Sequence, residues 1–165
     1  MLRIDPATRE DVPVLNAILA ALIAQGDNTA LEHLSDETFS QWFLTGPTAL
    51  FCLVARNEAG EILGFQTLST YGELPSGWAD IGTFARADSH NQGIGSALLA
   101  ESQKRLLALG FSNVNATVRA DNAGGLKFYR KMGFVPYETL AQVPLHDGRL
   151  IDRISHRLEL KYSSR

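Results

Sequence analysis

Apolar and polar residues alternate along the first part of the chain with two different periods. Residues 2–5 alternate as a short strand does, and the apolar residues after Thr8 then recur every three or four positions up to Gly26. This pattern predicts an amphipathic helix that Thr8 caps and Gly26 ends. A second, shorter helix is predicted after Ser35, and it ends at Gly46.

Strand-forming residues dominate the middle of the chain. Ala49–Arg56 and residues 61–71 are two such runs, and turn residues at positions 57–60 separate them, which predicts a hairpin. Trp78–Ala85 is predicted as the next strand. Gly82 lies inside it, and a glycine there often marks a bulge or the close approach of another backbone.

The strongest helical pattern of the chain lies at residues 94–109 and ends before Gly110. The elements predicted after it are a strand, a helix and two final strands, at residues 113–118, 123–132, 134–143 and 150–160. No internal repeat or linker interrupts this order. The pattern therefore predicts one mixed α/β domain over residues 1–165.

The composition is that of a globular protein, since 45% of the 165 residues are hydrophobic and 20% are charged. A net charge of −3 predicts no surface for nucleic acid, and no apolar run reaches the roughly 18 residues of a membrane span. The N-terminus lacks a secretory apolar region and Cys52 is the single cysteine, so we expect a cytoplasmic protein with a buried thiol. Metal binding is not expected, because ligand spacing is absent among His33, His90, His146 and His156.

A glycine-containing turn, Gln92-Gly93-Ile94-Gly95-Ser96, opens the strongest helix. A helix N-terminus carries unpaired N–H groups and a partial positive charge, and phosphate oxygens satisfy both where the backbone can approach closely. A tight strand-to-helix turn without a ligand is the alternative for a single Gly-x-Gly pair. A Rossmann fingerprint fits poorly because Leu98 occupies its third glycine position, and no Gly-Lys-Ser/Thr of a Walker A loop follows.

Asn122 and Tyr129 form a second pattern on the next predicted helix. They are seven residues apart, which places them on nearly the same helical face about two turns apart. Gly125 lies between them and permits close packing. Taken alone, Tyr129 fits a half-buried aromatic residue beside Phe128.

The residues at 90–99, His-Asn-Gln-Gly-Ile-Gly-Ser-Ala-Leu-Leu, and at 122–134, Asn-Ala-Gly-Gly-Leu-Lys-Phe-Tyr-Arg-Lys-Met-Gly-Phe, resemble two motifs of the GCN5-related N-acetyltransferase (GNAT) superfamily. The specific motifs cover roughly residues 78–137, and the order of elements fits over nearly the whole chain. The resemblance implies a central, mostly antiparallel, splayed sheet flanked by helices. Within the superfamily, the phosphinothricin acetyltransferase-like branch is the one that the sequence resembles.

The same resemblance implies acetyl-coenzyme A (acetyl-CoA) as cosubstrate, with its pyrophosphate on the N–H groups of Gln92, Gly93, Ile94, Gly95 and Ser96. The strand residues Thr83, Phe84 and Ala85 would pair with the pantetheine arm. Asn122 matches the position that commonly hydrogen-bonds this arm, and Tyr129 matches the tyrosine that often protonates the leaving thiolate.

The motif departs from the family at His90, where Arg or Gln is usual, and at Asn91, which replaces a frequent glycine. Most of the expected cradle is backbone, so we expect binding to survive this departure. A contact from the side chain at position 90 is not part of the prediction.

Acetyl transfer to an amine needs a base, because an amine of pKa near 10.4 costs about 4.6 kcal/mol to hold neutral at pH 7. Asp80, on the strand before the first motif, is the first candidate, although the branch that the chain resembles tends to carry glutamate there. Aspartate is one methylene shorter, which favours a relay through water. Glu73, in the preceding loop, is the second candidate, and a solvated surface charge is the alternative for both.

Three functions remain open at this stage. The leading prediction is an N-acetyltransferase for the primary amine of a small molecule, such as an amino acid or an amino-acid-like toxin. The alternatives are acetylation of a protein N-terminus or lysine, and a noncatalytic acyl-CoA sensor that needs neither Tyr129 nor a base. The acceptor site is expected from loops at residues 27–34, 72–77 and 144–149, and a homodimer is an open expectation because dimers are common in the family.

Overall fold

The computed structural model describes residues 1–26, 31–70, 72–89 and 92–161. Within these ranges seven strands form one sheet: β1 (Arg3–Pro6), β2 (Ala49–Arg56), β3 (Ile62–Ser69), β4 (Trp78–Ala85), β5 (Asn113–Arg119), β6 (Val135–Pro144) and β7 (Leu150–Glu159). The α-helices of the same ranges are α1 (Val12–Gln25), α2 (Asp36–Ser40), α3 (Ile94–Ala108) and α4 (Ala123–Lys131). This confirms the predicted mixed α/β fold.

The predicted hairpin forms, but its second strand is shorter than the predicted residues 61–71. Glu61 belongs to the turn, because its N–H donates to Asn57 Oδ1 at 3.0 Å and its carbonyl accepts from the Asn57 N–H, also at 3.0 Å. The strand ends at Ser69, and Tyr71 lies outside the described residues.

The second predicted helix is also confirmed, with a change of geometry inside it. Ser35 caps α2 by accepting a hydrogen bond from the Thr38 N–H at 3.1 Å. The chain then continues as a π-helical turn over Gln41–Thr45 and leaves the helix at Gly46. Sequence periodicity does not distinguish these two helix types over so few residues.

The strand order across the sheet is β1-β2-β3-β4-β5-β7-β6, and only the β4–β5 pair is parallel within it. This pair is short: Trp78 to Asp80 align with Asn113 to Asn115, and the two strands then separate. Both continue, β4 to Ala85 and β5 to Arg119. The result is a wedge-shaped opening, here called the β4–β5 wedge, which confirms the splayed sheet expected from the sequence.

Helices cover both faces of the sheet. The α1 face holds a core that includes Leu15, Leu19 and Phe39 packed on Phe65 of β3. The opposite face, here called the α3/α4 face, has a core from α3 and the strands, and Tyr129 of α4 belongs to it. Cys52 is buried as predicted, and burial raises the pKa of its thiol to about 12. Among the described helices, none has the length and apolar character needed to cross a bilayer.

Candidate active site

A cavity of about 540 Å³ lies at the β4–β5 wedge, a volume typical of small-molecule sites. Every residue predicted to bind the cosubstrate lines it: Thr83, Phe84, Ala85, Gln92, Gly93, Ile94, Gly95, Ser96, Asn122 and Tyr129. The two motifs, which are separated by a whole helix and strand, therefore meet at one site. Asp80 and Glu73 do not line this cavity.

The glycine turn has the geometry of an open helix N-terminus. Gly93 has φ +72°, a left-handed conformation that disfavours other residues, and it caps α3. The first hydrogen bond of the helix runs from the Ala97 N–H to the Gly93 carbonyl at 3.0 Å. The N–H groups of Ile94, Gly95 and Ser96 precede this bond and have no acceptor inside the helix. Such a terminus fits the pyrophosphate of acetyl-CoA.

At Gly95 the structure adds a packing reason to the close approach of a phosphate that the sequence predicts. A Cβ atom there would lie 2.6 Å from Cε1 of Phe128, so glycine is needed for α3 to pack against α4. At Gly93, by contrast, the nearest atom to such a Cβ would be Ser96 Oγ at 3.7 Å. The backbone angle thus favours glycine at position 93, and the packing against Phe128 favours it at position 95.

The free edge of β4 fits the extended arm of the same cosubstrate. Thr83, Phe84 and Ala85 pair with β3, while their other edge faces the wedge beyond the last aligned residue, Asp80. An extended arm can use such an edge as an additional strand would. Lys127 also lines the cavity and adds a positive charge on the side of α4.

Asn122 lines the cavity and also begins α4. Its Oδ1 accepts a hydrogen bond from the Gly125 N–H at 3.0 Å, which is a helix cap. A Cβ at Gly125 would lie 2.6 Å from Asn122 Nδ2, so the glycine makes this cap possible. This supports the sequence prediction that Gly125 permits close packing.

The Tyr129 hydroxyl is held by a chain of buried polar groups. It donates to Thr83 Oγ1 at 3.0 Å, and Gln66 Nε2 donates to the same oxygen at 2.9 Å. Ser102 Oγ in turn donates to Gln66 Oε1 at 2.6 Å. Gln66 and Ser102 are fully buried, and the chain joins α3, β3, β4 and α4. We call these four side chains the Tyr129 network.

Burial raises the pKa of Tyr129 to about 12, against the smaller lowering effect of its hydrogen bond to Thr83. The phenol is therefore protonated throughout the neutral range. It is a hydrogen-bond donor fixed at the wedge.

Asp80 is the last residue of β4 aligned with β5, at the base of the wedge. Burial raises the pKa of its carboxyl to about 6, although a hydrogen bond from Asn115 Nδ2 at 2.9 Å acts in the opposite direction. The same Nδ2 donates to Thr117 Oγ1 at 3.0 Å, and Thr117 lines the cavity. The Asn115 side chain thus lies between Asp80 and the cavity wall.

Asp80 and Thr83 lie on opposite faces of the sheet, because they are three residues apart on one strand. Thr83 and its partner Tyr129 belong to the α3/α4 face. Asp80 belongs to the α1 face. A carboxylate and a phenol therefore flank the wedge from its two sides.

Glu73 is exposed in the loop before β4, and the structure shows it apart from the cavity wall. His90 and Asn91 lie outside the described residues, as do residues 27–30 of the first predicted acceptor loop. In the predicted acceptor loop at residues 144–149, His146 is exposed, and its Nδ1 lies 3.2 Å from Glu32 Oε1.

Sequence reasoning missed the polar residues that surround Asp80. Tyr137 of β6 donates to Asn115 Oδ1 and stacks edge-on against Trp78, with ring centroids 5.7 Å apart. Arg157 lies over the same indole, 5.5 Å from its centroid. A signal was present in β5, whose alternate positions are all polar: Asn113, Asn115, Thr117 and Arg119.

This chain is similar to known proteins both in sequence and in fold. The sequence model of the acetyltransferase (GNAT) family matches residues 15–134. A mycothiol acetyltransferase of Clavibacter michiganensis is 33% identical over 126 residues, which are 76% of this chain and 39% of that protein. The chain thus spans about two fifths of the length of this curated relative.

Solved structures share the fold at lower identity. A phosphinothricin acetyltransferase from Sinorhizobium meliloti, solved in complex with AcCoA, superposes with a TM-score of 0.84 at 20% identity, covering 99% of this chain and 90% of that one. An N-acetyltransferase from Staphylococcus aureus Mu50 has a TM-score of 0.82 at 24% identity, covering 98% and 99%. These similarities confirm the fold.

Proposed function

The chain belongs to the acetyltransferase (GNAT) family, and from this premise we propose that it transfers the acetyl group of acetyl-CoA to the primary amine of a small molecule, an amino acid or an amino-acid-like compound. One observation carries the proposal. The glycine turn, the free edge of β4, Asn122 and Tyr129 all line one cavity at the β4–β5 wedge, and Asp80 lies at the base of that wedge.

Binding rests on the backbone. The N–H groups at the start of α3 would hold the pyrophosphate, and Thr83 to Ala85 of β4, which line the cavity, would align the pantetheine arm. When bound, acetyl-CoA supplies an acetyl thioester that leaves a thiolate once an amine takes the acetyl group. The remaining tasks, deprotonation of the amine and stabilisation of the thiolate, fall to side chains.

Asp80 is the proposed base. A carboxyl of pKa about 6 is mostly ionised at pH 7, yet it binds a proton far better than an ordinary aspartate does. Because its side chain is one residue behind the cavity wall, it receives the proton of the amine through one water molecule. The exposed Glu73 is the second candidate for this role.

Tyr129 is the proposed donor to the thiolate. Its pKa of about 12 lies above the roughly 8.5 of a thiol, so complete proton transfer to the sulfur is uphill by about 5 kcal/mol. The phenol therefore stabilises the thiolate as a hydrogen-bond donor.

The Tyr129 network leaves one proton for this purpose. The Gln66 amide donates to the Thr83 oxygen and so occupies one of its acceptor positions. The hydrogen bond between the Thr83 and Tyr129 hydroxyls therefore uses only one of their two protons. In the structure Tyr129 donates its proton to Thr83. When the thiolate forms, the Thr83 hydroxyl donates to Tyr129 instead, and the phenol proton turns to the sulfur.

Thiol release from acetyl-CoA tests the function, with a panel of small amines, peptides bearing a free N-terminus or a lysine, and no acceptor. Turnover of small amines supports the proposal. Turnover of peptides alone would replace it with protein acetylation. Tight coenzyme binding without any turnover would identify an acyl-CoA sensor.

A further inference from the structure

Arg153 of β7 lines the same cavity, and its Nε is buried without a hydrogen-bond partner among the described residues. An unpaired buried donor is costly, most of all on a charged group. A ligand or an ordered water that completes the hydrogen bonding explains such a group in a native protein. No sequence motif pointed to this arginine.

Arg119, the neighbour of Arg153 in the sheet, has hydrogen-bond partners of its own. It aligns with Arg153 across β5 and β7, so the two cations face the same side of the sheet. Arg119 donates two hydrogen bonds to the Asp121 carboxylate, of 2.7 and 3.0 Å, and one of 3.0 Å to the Gly26 carbonyl. Like charges on aligned residues destabilise a sheet, and only the charge of Arg119 has a carboxylate partner among the described residues.

The charge of Arg153 lies on the same face as the proposed base. Asp80 aligns with Asn115, and Arg153 aligns with Arg119, four residues farther along the same strand. This corresponds to about 13 Å along the strands and about 10 Å across them, or about 16 Å between the backbone positions, a distance that the long arginine side chain shortens. The face therefore presents a carboxylate at the base of the wedge and a guanidinium farther along it.

We propose that Arg153 binds an anionic group, a carboxylate, on the acceptor amine. The proposal rests on the acetyltransferase function above and assigns a residue to acceptor selection. The ammonium end of such an acceptor lies toward Asp80 and its carboxylate toward Arg153. A guanidinium matches a carboxylate with two parallel hydrogen bonds, which would use the buried Nε. Thr117, between the two ends on β5, adds a polar group to the wall.

The test uses acceptors in pairs that differ only in the carboxylate: leucine with isoamylamine, and phenylalanine with phenethylamine. The wild-type protein is expected to prefer the amino acid by about 10- to 100-fold in kcat/KM, after correction for the fraction of neutral amine. Arg153→Met should remove most of this preference, because it lowers the kcat/KM of the amino acid far more than that of the simple amine. Arg105→Met, on α3 in an ion pair with Glu101, is the matched control and should keep the preference.

Acetyl-CoA affinity, measured by calorimetry, verifies that each variant is folded. If Arg153→Met loses this affinity, Arg153→Lys replaces it, and a smaller loss of preference is then expected. A wild-type protein that acetylates amines without preferring the carboxylate overturns the role of Arg153 and leaves the acetyltransferase function standing. A wild-type protein that acetylates no amine rejects the proposed function itself.

Discussion

Tyr129 on α4 donates a hydrogen bond of 3.0 Å to Thr83 on β4, the strand whose free edge forms one side of the wedge. This bond ties the second sequence motif to the strand that precedes the first. It also fixes the phenol at the cavity wall, since Thr83 is itself held by Gln66. The position of the proposed donor therefore depends on residues from four elements.

Replacement of Tyr129 by phenylalanine should lower kcat by about 100-fold, because a donor to the developing thiolate is lost. The affinity for acetyl-CoA should change little, since the backbone of the glycine turn remains. Steady-state kinetics and calorimetry measure the two effects. Thr83→Ser keeps a hydroxyl at the network and should retain most of the activity. An unchanged kcat in Tyr129→Phe across the pH range would remove this residue from the mechanism.

Gln66→Glu tests the direction of the hydrogen bonds in the Tyr129 network. An ionised carboxylate accepts a hydrogen bond from Thr83, whereas the native amide donates one to it. Tyr129 must then donate to Thr83, and no hydroxyl proton is left to face the cavity. We expect kcat to fall about as far as in Tyr129→Phe. Burial raises the pKa of such a carboxyl, and its protonated form donates again, so the activity relative to wild type should rise as the pH falls.

Gln66→Met is the control for this variant, because methionine removes the amide without accepting the proton of Thr83. It should lose less activity than Gln66→Glu and show no change of its relative activity with pH. If the two variants have equal activity and equal pH profiles, Gln66 serves packing alone.

The sequence predicted the elements well because they depend on local patterns. The bounds of β2 and β4 were predicted without error, and the ten expected coenzyme contacts line one cavity. The polar alternation of β5 indicated polar residues on one face of the sheet but not their partners. Asn115 meets Asp80, and Tyr137 meets Asn115, only through the pairing of strands that are distant in the sequence. Arg153 was missed for the same reason: it reaches the cavity only because β7 pairs with β5.

Gly93 and Gly95 should respond differently to substitution. Gly93→Ala forces a side chain into a left-handed conformation at a cost of about 1–2 kcal/mol, and it should weaken acetyl-CoA binding because the first N–H groups of α3 shift. Gly95→Ala instead places a methyl group against the Phe128 ring.

A second substitution separates these causes. Phe128→Leu should restore thermal stability to Gly95→Ala and give none to Gly93→Ala, as measured by calorimetric melting. His90→Ala, outside the described residues, is predicted to change coenzyme affinity much less than Gly93→Ala. Equal rescue of both glycine variants by Phe128→Leu would show that packing governs the two positions alike.

Replacement of Asp80 by asparagine should change the activity and the stability of the protein in opposite directions. Its pKa of about 6 in the folded protein means that kcat/KM for a small amine should fall as the pH drops through 6, because the base becomes protonated. Asp80→Asn keeps the oxygen that accepts from Asn115 but cannot take a proton, so it should lose most of the activity and the inflection near pH 6. Glu73→Gln is the matched carboxylate control. If Glu73→Gln instead loses that inflection, the exposed loop residue is the base.

The stability of the same variant should change in the other direction. The folded-state pKa of about 6 exceeds the unfolded value of 3.8, so the folded protein binds one more proton between these limits, and ionisation above pH 6 costs folding free energy. Asp80→Asn removes that cost, which is about 3 kcal/mol at most, and should raise the free energy of unfolding at pH 8. The gain should shrink as the pH falls from 6 to 4 and vanish below 4. Denaturant unfolding at pH 8 and pH 4 measures it, and an equal effect at both values would mean that the carboxyl does not titrate in this range.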